Sequence, residues 1–311
     1  VDTVPPPASL LRGMGRAEFI RADIRNPLIA KVIASAEVDT VVHTSLSSNP
    51  DSSGGRATMK EMNVIGTMQL LAACQRWPGL RRLVVKSTTA VYGSSPRDPA
   101  IFTEAMGPKD LPYGGYAKDA SEIEGYVRGF ARRRPDVSVT VLRFANFIGP
   151  RIDTSLTRYF SMPVVPTVLG YDARMQLLHS DDALAVLEKA TRQDHPGVFN
   201  VGAPGVLLLS QAIRRAGRVQ MSMPSSVVGP ISRFFRGARL VDFTPEQMRF
   251  LNFGRVVDTS LLRETFGFTP KWTTVEAFDD FVQGRQLRPV ISADRLDAVQ
   301  ERLVATARSL I

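Results

Sequence analysis

Apolar residues recur along the chain at two spacings. Short runs rich in β-branched residues, AEFIRADI, VDTVVHT, RRLVVKST and VSVTVLRF, predict buried strands. Between them NPLIAKVIASA, ATMKEMNVIGTMQLLAACQRW and KDASEIEGYVRGFARRR predict helices. In the second helix Met62, Ile65, Met68 and Ala72 recur at helical spacing, and Pro78 lies just past its end. Strand–helix–strand alternation implies an α/β fold with a parallel, doubly wound sheet.

The texture changes after Pro150. Short strands and helices mix with loops such as VPTVLGYDAR and MPSSVVGP, and GVFNVG reads as another strand. This predicts a smaller second lobe interleaved with the first. SSNPDSSGGRATMK reads as a mobile polar loop; it lacks the GK[ST] ending of a phosphate-cradling loop. In the tail, Leu296, Val299, Leu303, Ala307 and Leu310 share one helical face, which docks on its own domain or on a second subunit.

Composition narrows the classes. With 311 residues, 44% hydrophobic and 22% charged, the chain fits one large α/β domain or two lobes. No apolar run approaches a membrane span. The lone Cys74 excludes an intrachain disulfide and a thiolate cluster, and fits a reducing, cytoplasmic setting. With three histidines, nothing argues for a transition-metal site, and His43 and His179 read as structural. The net charge of +9 favours anionic partners. No finger, helix-turn-helix or RNA-binding signature accompanies it, so small phosphate-bearing molecules fit better than nucleic acid. In VGPISRFFRGARL, Arg233, Arg236 and Arg239 flank Phe234 and Phe235; a basic helix covering the second lobe is preferred to a membrane-surface anchor.

Candidate chemistry begins at STTAVYGSS, where Thr88 follows a predicted strand at the end where parallel sheets bind ligands. Lys118 opens a helix and is followed by Glu122 and Glu124. An ordered set of segments then carries a resemblance. DTVVHTS, NVIGTMQLLAAC, VVKSTTAVYG, VLRFANFIGP, LLHSDDA, VFNVG and VVDTSLLRETFGFTPKWTTVEAF are similar to successive motifs of the extended short-chain dehydrogenases, the NAD-dependent epimerase/dehydratase family. The resemblance runs from Glu18 to about Phe281 and is nearest to UDP-glucose 4-epimerase-like members.

That resemblance implies a Rossmann-like NAD-binding domain over 1–145 and a substrate lobe over 146–290, with the 197–202 strand returning to the first domain and a terminal amphipathic helix over 291–311. It implies NAD rather than NADP, a nucleotide-sugar in the cleft, and transient hydride removal from a sugar carbon. A tyrosinate takes the hydroxyl proton, helped by a lysine that also holds the nicotinamide ribose. Matched by position, Thr88 is the orienting hydroxyl and Lys118 the lysine. Asn146 is a nucleotide-sugar phosphate contact, and Arg174, in preference to Met175, a phosphate-binding arginine. Asn63 faces the cofactor, and Asp23 with Ile24 forms the acidic–apolar pair near adenine.

The chain departs from the family pattern twice. The GxxGxxG turn is absent; Val1-Asp2 reads as the end of the second strand, with Asp2 as the ribose-binding acid. The first strand, glycine loop and first helix are therefore expected upstream of Val1. Secondly, Gly114 stands at the catalytic tyrosine position, with Tyr113 one residue early and Tyr116 two residues late. On a helix Tyr116 points away from Lys118. Tyr113 is either a displaced base, reached through a bend at Gly114-Gly115, or a packing residue. Two functions stay open: an epimerase or dehydratase, or a non-catalytic protein that senses NAD or a nucleotide-sugar, or binds a partner.

Overall fold

The computed structural model describes residues 1–47, 55–107, 115–224 and 244–290. Most of the SSNPDSSGG loop, Tyr113 and Gly114, the basic VGPISRFFRGARL segment and the terminal amphipathic tail lie outside the described residues.

Among the described residues, four strands form the central sheet in the order Thr40–His43, Arg82–Thr88, Ser138–Phe144 and Gly197–Val201, all parallel. Alternation along Arg82–Thr88 splits its side chains between two cores. Leu83 and Val85 pack under the helices Ile29–Ser35, Thr67–Arg76 and Tyr116–Arg133. Val84 packs on the opposite face against Val186 of helix Ser180–Arg192 and against Phe199 and Phe266. Both faces are covered, which is why the strands read as nearly continuous apolar runs. The Gly197–Val201 strand joins this sheet although it follows residues of the second lobe. That lobe has its own core of Ile148, Tyr159, Phe160, Leu177, Phe278 and Phe281.

Two elements differ from the sequence pattern. AEFIRADI pairs only at Arg21, which forms a parallel bridge with Asp2. Among the described residues no longer neighbouring strand is present there to extend the ladder. The stripe Met62, Ile65, Met68 and Ala72 turns outward, with Ile65 46% and Met68 43% exposed. The inward face is Asn63, Val64, Thr67, Leu70, Leu71 and Cys74. Its two polar members are buried because each has a partner. His43 Nε2 and Thr67 Oγ1 lie 2.7 Å apart, and the Asn63 amide is bonded on both ends. No helix among the described residues is long and apolar enough to cross a membrane.

Candidate active site

The carboxyl ends of the Thr40–His43, Arg82–Thr88 and Ser138–Phe144 strands face a cleft of about 400 Å³, walled opposite by residues of the helices Ser155–Ser161 and Pro245–Phe253. Thr88 ends its strand and caps the short turn Thr89–Tyr92, accepting from Ala90 N at 3.1 Å. This fixes its backbone, and its hydroxyl is near enough to the Tyr116 phenol, which lines the same cleft, to draw the phenol pKa down. Burial pushes the Tyr116 pKa up to about 12; Thr88 draws it down, Glu246 adds to the rise and Arg255 opposes it.

Tyr116 is the first residue of its helix, and three side chains from elsewhere, Arg56, Asn63 and Glu246, hold that start. Arg56 Nη1 and Nη2 meet both oxygens of buried Asp119 at 2.6 and 2.5 Å, and Nη2 donates to Gly115 O at 3.0 Å. Asn63 Nδ2 donates to Asp119 Oδ2 at 3.1 Å. Glu246 accepts from Ala117 N at 3.3 Å, an acid at a helix N-terminus. A Cβ on Gly115 would lie 2.7 Å from Glu246 Oε2, so glycine there permits the approach.

Glu246 and Arg255 come from the second lobe. Glu246 sits in the first turn of Pro245–Phe253, whose start is fixed by a capping box between Thr244 and Gln247. Burial raises the Glu246 pKa against Ala117 N, Arg255 and Arg56. Arg255 donates to Gly93 O at 2.9 Å and Thr89 Oγ1 at 3.2 Å, and its guanidinium lies 5.2 Å from the Phe250 ring centroid. Burial lowers its pKa to about 10, with Glu246 the largest opposing influence.

The residues matched from the sequence divide by location. Thr88 and Asn146 line the cleft, and Asn146 is half-buried. Lys118 does not line it and is exposed. The helix begins at Tyr116, and two residues further on the side chain has turned by about 200°. Tyr116 and Lys118 therefore face apart, and the tyrosine takes the cleft side. The position one turn after Tyr116 is Ala120, fully buried in the core. Asn63 does not face the cleft. Its amide accepts from Ser47 N and donates to Ser47 O, both at 3.0 Å, and to Asp119, so it braces a lining loop. Arg174 lies in an adjoining groove of about 260 Å³ shared with Arg255, while Met175 is buried. Asp2 is exposed. Asp23 is clamped by Arg25, whose Nε and Nη2 reach Asp23 Oδ2 at 2.9 and 2.6 Å; this hydrogen bonding lowers the carboxyl pKa. Ile24 packs on Gly66, where a Cβ would come within 2.7 Å of Ile24 Cδ1.

Four cleft residues escape the motif reading: Tyr116, Lys86, Glu246 and Arg255. Anchoring on Lys118 hides Tyr116. Lys86 is legible from strand alternation, since it stands two residues before Thr88 and on the same side. Glu246 and Arg255 carry no local signal, because the fold of the second lobe brings them in.

The model of the NAD dependent epimerase/dehydratase family matches residues 3–202. An uncharacterized protein of Mycobacterium tuberculosis is 52% identical over 308 residues, spanning 99% of this chain and 82% of its own length. The solved dTDP-glucose 4,6-dehydratase of Bacillus anthracis, in complex with NAD, matches with a TM-score of 0.67 at 17% identity, covering 90% of this chain and 83% of that one. The Thermotoga maritima UDP-glucose 4-epimerase with UDP-glucose also has a TM-score of 0.67, at 18% identity, covering 88% and 85%. At these identities the solved structures establish the fold.

Proposed function

Because the chain belongs to the NAD-dependent epimerase/dehydratase family, we propose that it performs epimerase- or dehydratase-type chemistry on a nucleotide-linked sugar, with Tyr116 as the group that moves the proton. The observation that carries this reading is that Tyr116 and Thr88 line one cleft at the carboxyl end of a parallel strand.

The cleft suits a nicotinamide cofactor in its chemistry. Hydroxyls of Thr44, Ser45 and Thr88 and the rings of Phe144 and Phe147 line one cavity, matching a ribose and a flat ring. When bound, that cofactor accepts and returns a hydride. NAD is favoured over NADP because Asp2 and Asp23 would repel a 2′-phosphate at the adenosine end. The remaining steps belong to the protein. Thr88 orients the sugar hydroxyl towards the Tyr116 oxygen. With a pKa near 12 the phenol is protonated at neutral pH. Acting as a base therefore requires positive charge at the cleft, and Arg255 is one source already present. Asn146 contacts the nucleotide-sugar phosphate, and Arg174 extends that anion path into the adjoining groove. A homodimer through the stripe of half-buried Met62 and exposed Ile65, Met68 and Ala72, in a cytoplasmic setting, completes the proposal.

Ligand binding without turnover is the second reading. It is favoured by Lys118 lying outside the cleft and by buried Ala120 one turn after Tyr116. One experiment separates the two. The protein is incubated with NAD and a panel of nucleotide-sugars, and the nicotinamide absorbance and sugar stereochemistry are followed. Reduction of the cofactor or conversion of a sugar supports the enzyme; saturable binding with neither supports the binding protein.

A further inference from the structure

We propose that the Lys86 ammonium is the receiving point for an anionic oxygen group of the ligand, a carboxylate or phosphate oxygen, at the floor of the cleft. This rests on the reading of the cleft as a site for NAD and a nucleotide-sugar.

Lys86 stands in the middle of the apolar Arg82–Thr88 strand, an unusual place for a charge. Alternation puts it on the side of Thr88 and opposite Ser87, whose hydroxyl donates to buried Glu124 at 2.7 Å. Its stem runs into the cleft. Nζ donates to Leu46 O at 3.1 Å and Thr44 O at 3.5 Å, and lies 5.9 Å from the Phe147 ring centroid. All of these partners are neutral. Among the described residues no ion pair to Lys86 is present.

An ammonium has three donors, and two carbonyls account for two of them. The nearby His43 offers no balance, since burial and Lys86 hold its imidazole neutral with a pKa of about 4. Burial likewise lowers the Lys86 pKa. Among the described residues this half-buried cation has no counter-ion, a cost that an anionic ligand group would offset. Arg143, a buried cation on the same sheet, has that partner in the fold: Glu124, met through two nitrogens at 2.9 and 2.7 Å. Thr88 and Asn146 also line the cleft and can share an anionic group with Nζ. Two ligand groups have this chemistry: a carboxylate on the sugar, as in a nucleotide-linked uronic acid, and a phosphate of the dinucleotide.

The test is calorimetry on the full chain with UDP-glucose, UDP-glucuronic acid and NADH, for the parent, Lys86→Met, Lys86→Gln and Lys86→Arg. Melting curves check that each variant is folded, and the Met and Gln forms back each other up. A charge-assisted contact predicts a change of roughly ten- to a hundredfold. If the sugar carboxylate is the anion, the parent prefers UDP-glucuronic acid by that factor. The neutral variants lose the preference and Lys86→Arg keeps much of it. If a dinucleotide phosphate is the anion, the neutral variants weaken NADH by that factor and leave the ratio of the two sugars unchanged. Affinities within twofold of the parent for all three ligands overturn the proposal while leaving the cleft reading intact. A folded parent that binds none of the three removes the cleft reading and this proposal with it.

Discussion

Two polar groups lie at the central sheet, one beneath the cleft and one along it, and they are built in opposite ways. Beneath the cleft, Arg143 meets Glu124 through two nitrogens and donates to Tyr92 Oη at 2.7 Å; Tyr92 donates on to Asn200 Oδ1 at 2.8 Å. Ser87 completes the Glu124 shell. Every charge there is answered within the protein, and both members of the ion pair are at most 3% exposed. In the cleft, Lys86 bonds, among the described residues, to carbonyls alone, Glu246 holds a backbone amide, and Tyr116 is kept protonated by burial. The first group ties three strands, through Ser87, Arg143 and Asn200, to the helix that carries Glu124. The second leaves polar capacity directed at whatever enters. Burial and compensation go together here: the frame charges are buried and paired, whereas Lys86, Tyr116 and Glu246 are half-buried along the cleft.

Breaking the frame should have the largest effect. Arg143→Met leaves the Glu124 carboxylate buried without its cation and should cost about 3–5 kcal/mol in chemical denaturation. Replacing both partners with apolar residues should cost less than the sum of the single changes. A loss below ~1 kcal/mol for Arg143→Met would mean that the pair is not a structural lock.

Histidine 43 should give the next effect, as a dependence on pH. Its folded pKa is depressed to about 4 from 6.5, so the folded state binds fewer protons than the unfolded one between these values. Stability is therefore unaffected by this group above pH 6.5. It falls as the pH drops towards 4, by about 3 kcal/mol in all. Denaturation series across that window should show the fall, and His43→Gln, which can still reach Thr67, should flatten it.

Smaller still are the changes that sharpen the cleft. Glu246→Gln removes a charge that raises the Tyr116 pKa, so alkaline titration of that phenol should move to lower pH, whereas Arg255→Met should move it higher. Ultraviolet difference spectra against a Tyr116→Phe control read both. Lys118→Met should change stability by no more than ~0.5 kcal/mol, as expected of an exposed surface residue. It should also leave turnover within a few-fold of the parent.

The comparison also explains what the sequence could show. VVKST and VTVLRF announce strands buried on both faces, and the succession of short motifs from DTVVHTS to VFNVG carries the order of the fold. Thr88 is legible because a strand end fixes it. The tyrosine is not, because a spacing rule needs the helix start. Counting back from Lys118 falls on Gly114, whereas the helix begins at Tyr116 and turns Lys118 outward. The apolar stripe on the Asn63–Cys74 segment misleads for a related reason. Periodicity identifies faces but does not say which is buried, and here the inward face holds Asn63 and Thr67, made acceptable by partners distant in sequence. Glu246 and Arg255 reach the cleft from more than a hundred residues beyond Tyr116, a distance that no local pattern bridges.

The most direct test of the central claim compares two tyrosines. Tyr116→Phe and Tyr113→Phe are assayed for single-turnover reduction of NAD with a nucleotide-sugar that the parent converts, and nucleotide-sugar affinity is measured in parallel. A positioned acid–base group is worth roughly 10²–10⁴-fold in rate. Tyr116→Phe should lose that much with affinity preserved, while Tyr113→Phe stays within a few-fold of the parent. The reverse result, with Tyr113→Phe inactive and Tyr116→Phe near the parent rate, would contradict the assignment of Tyr116 as the proton-moving group.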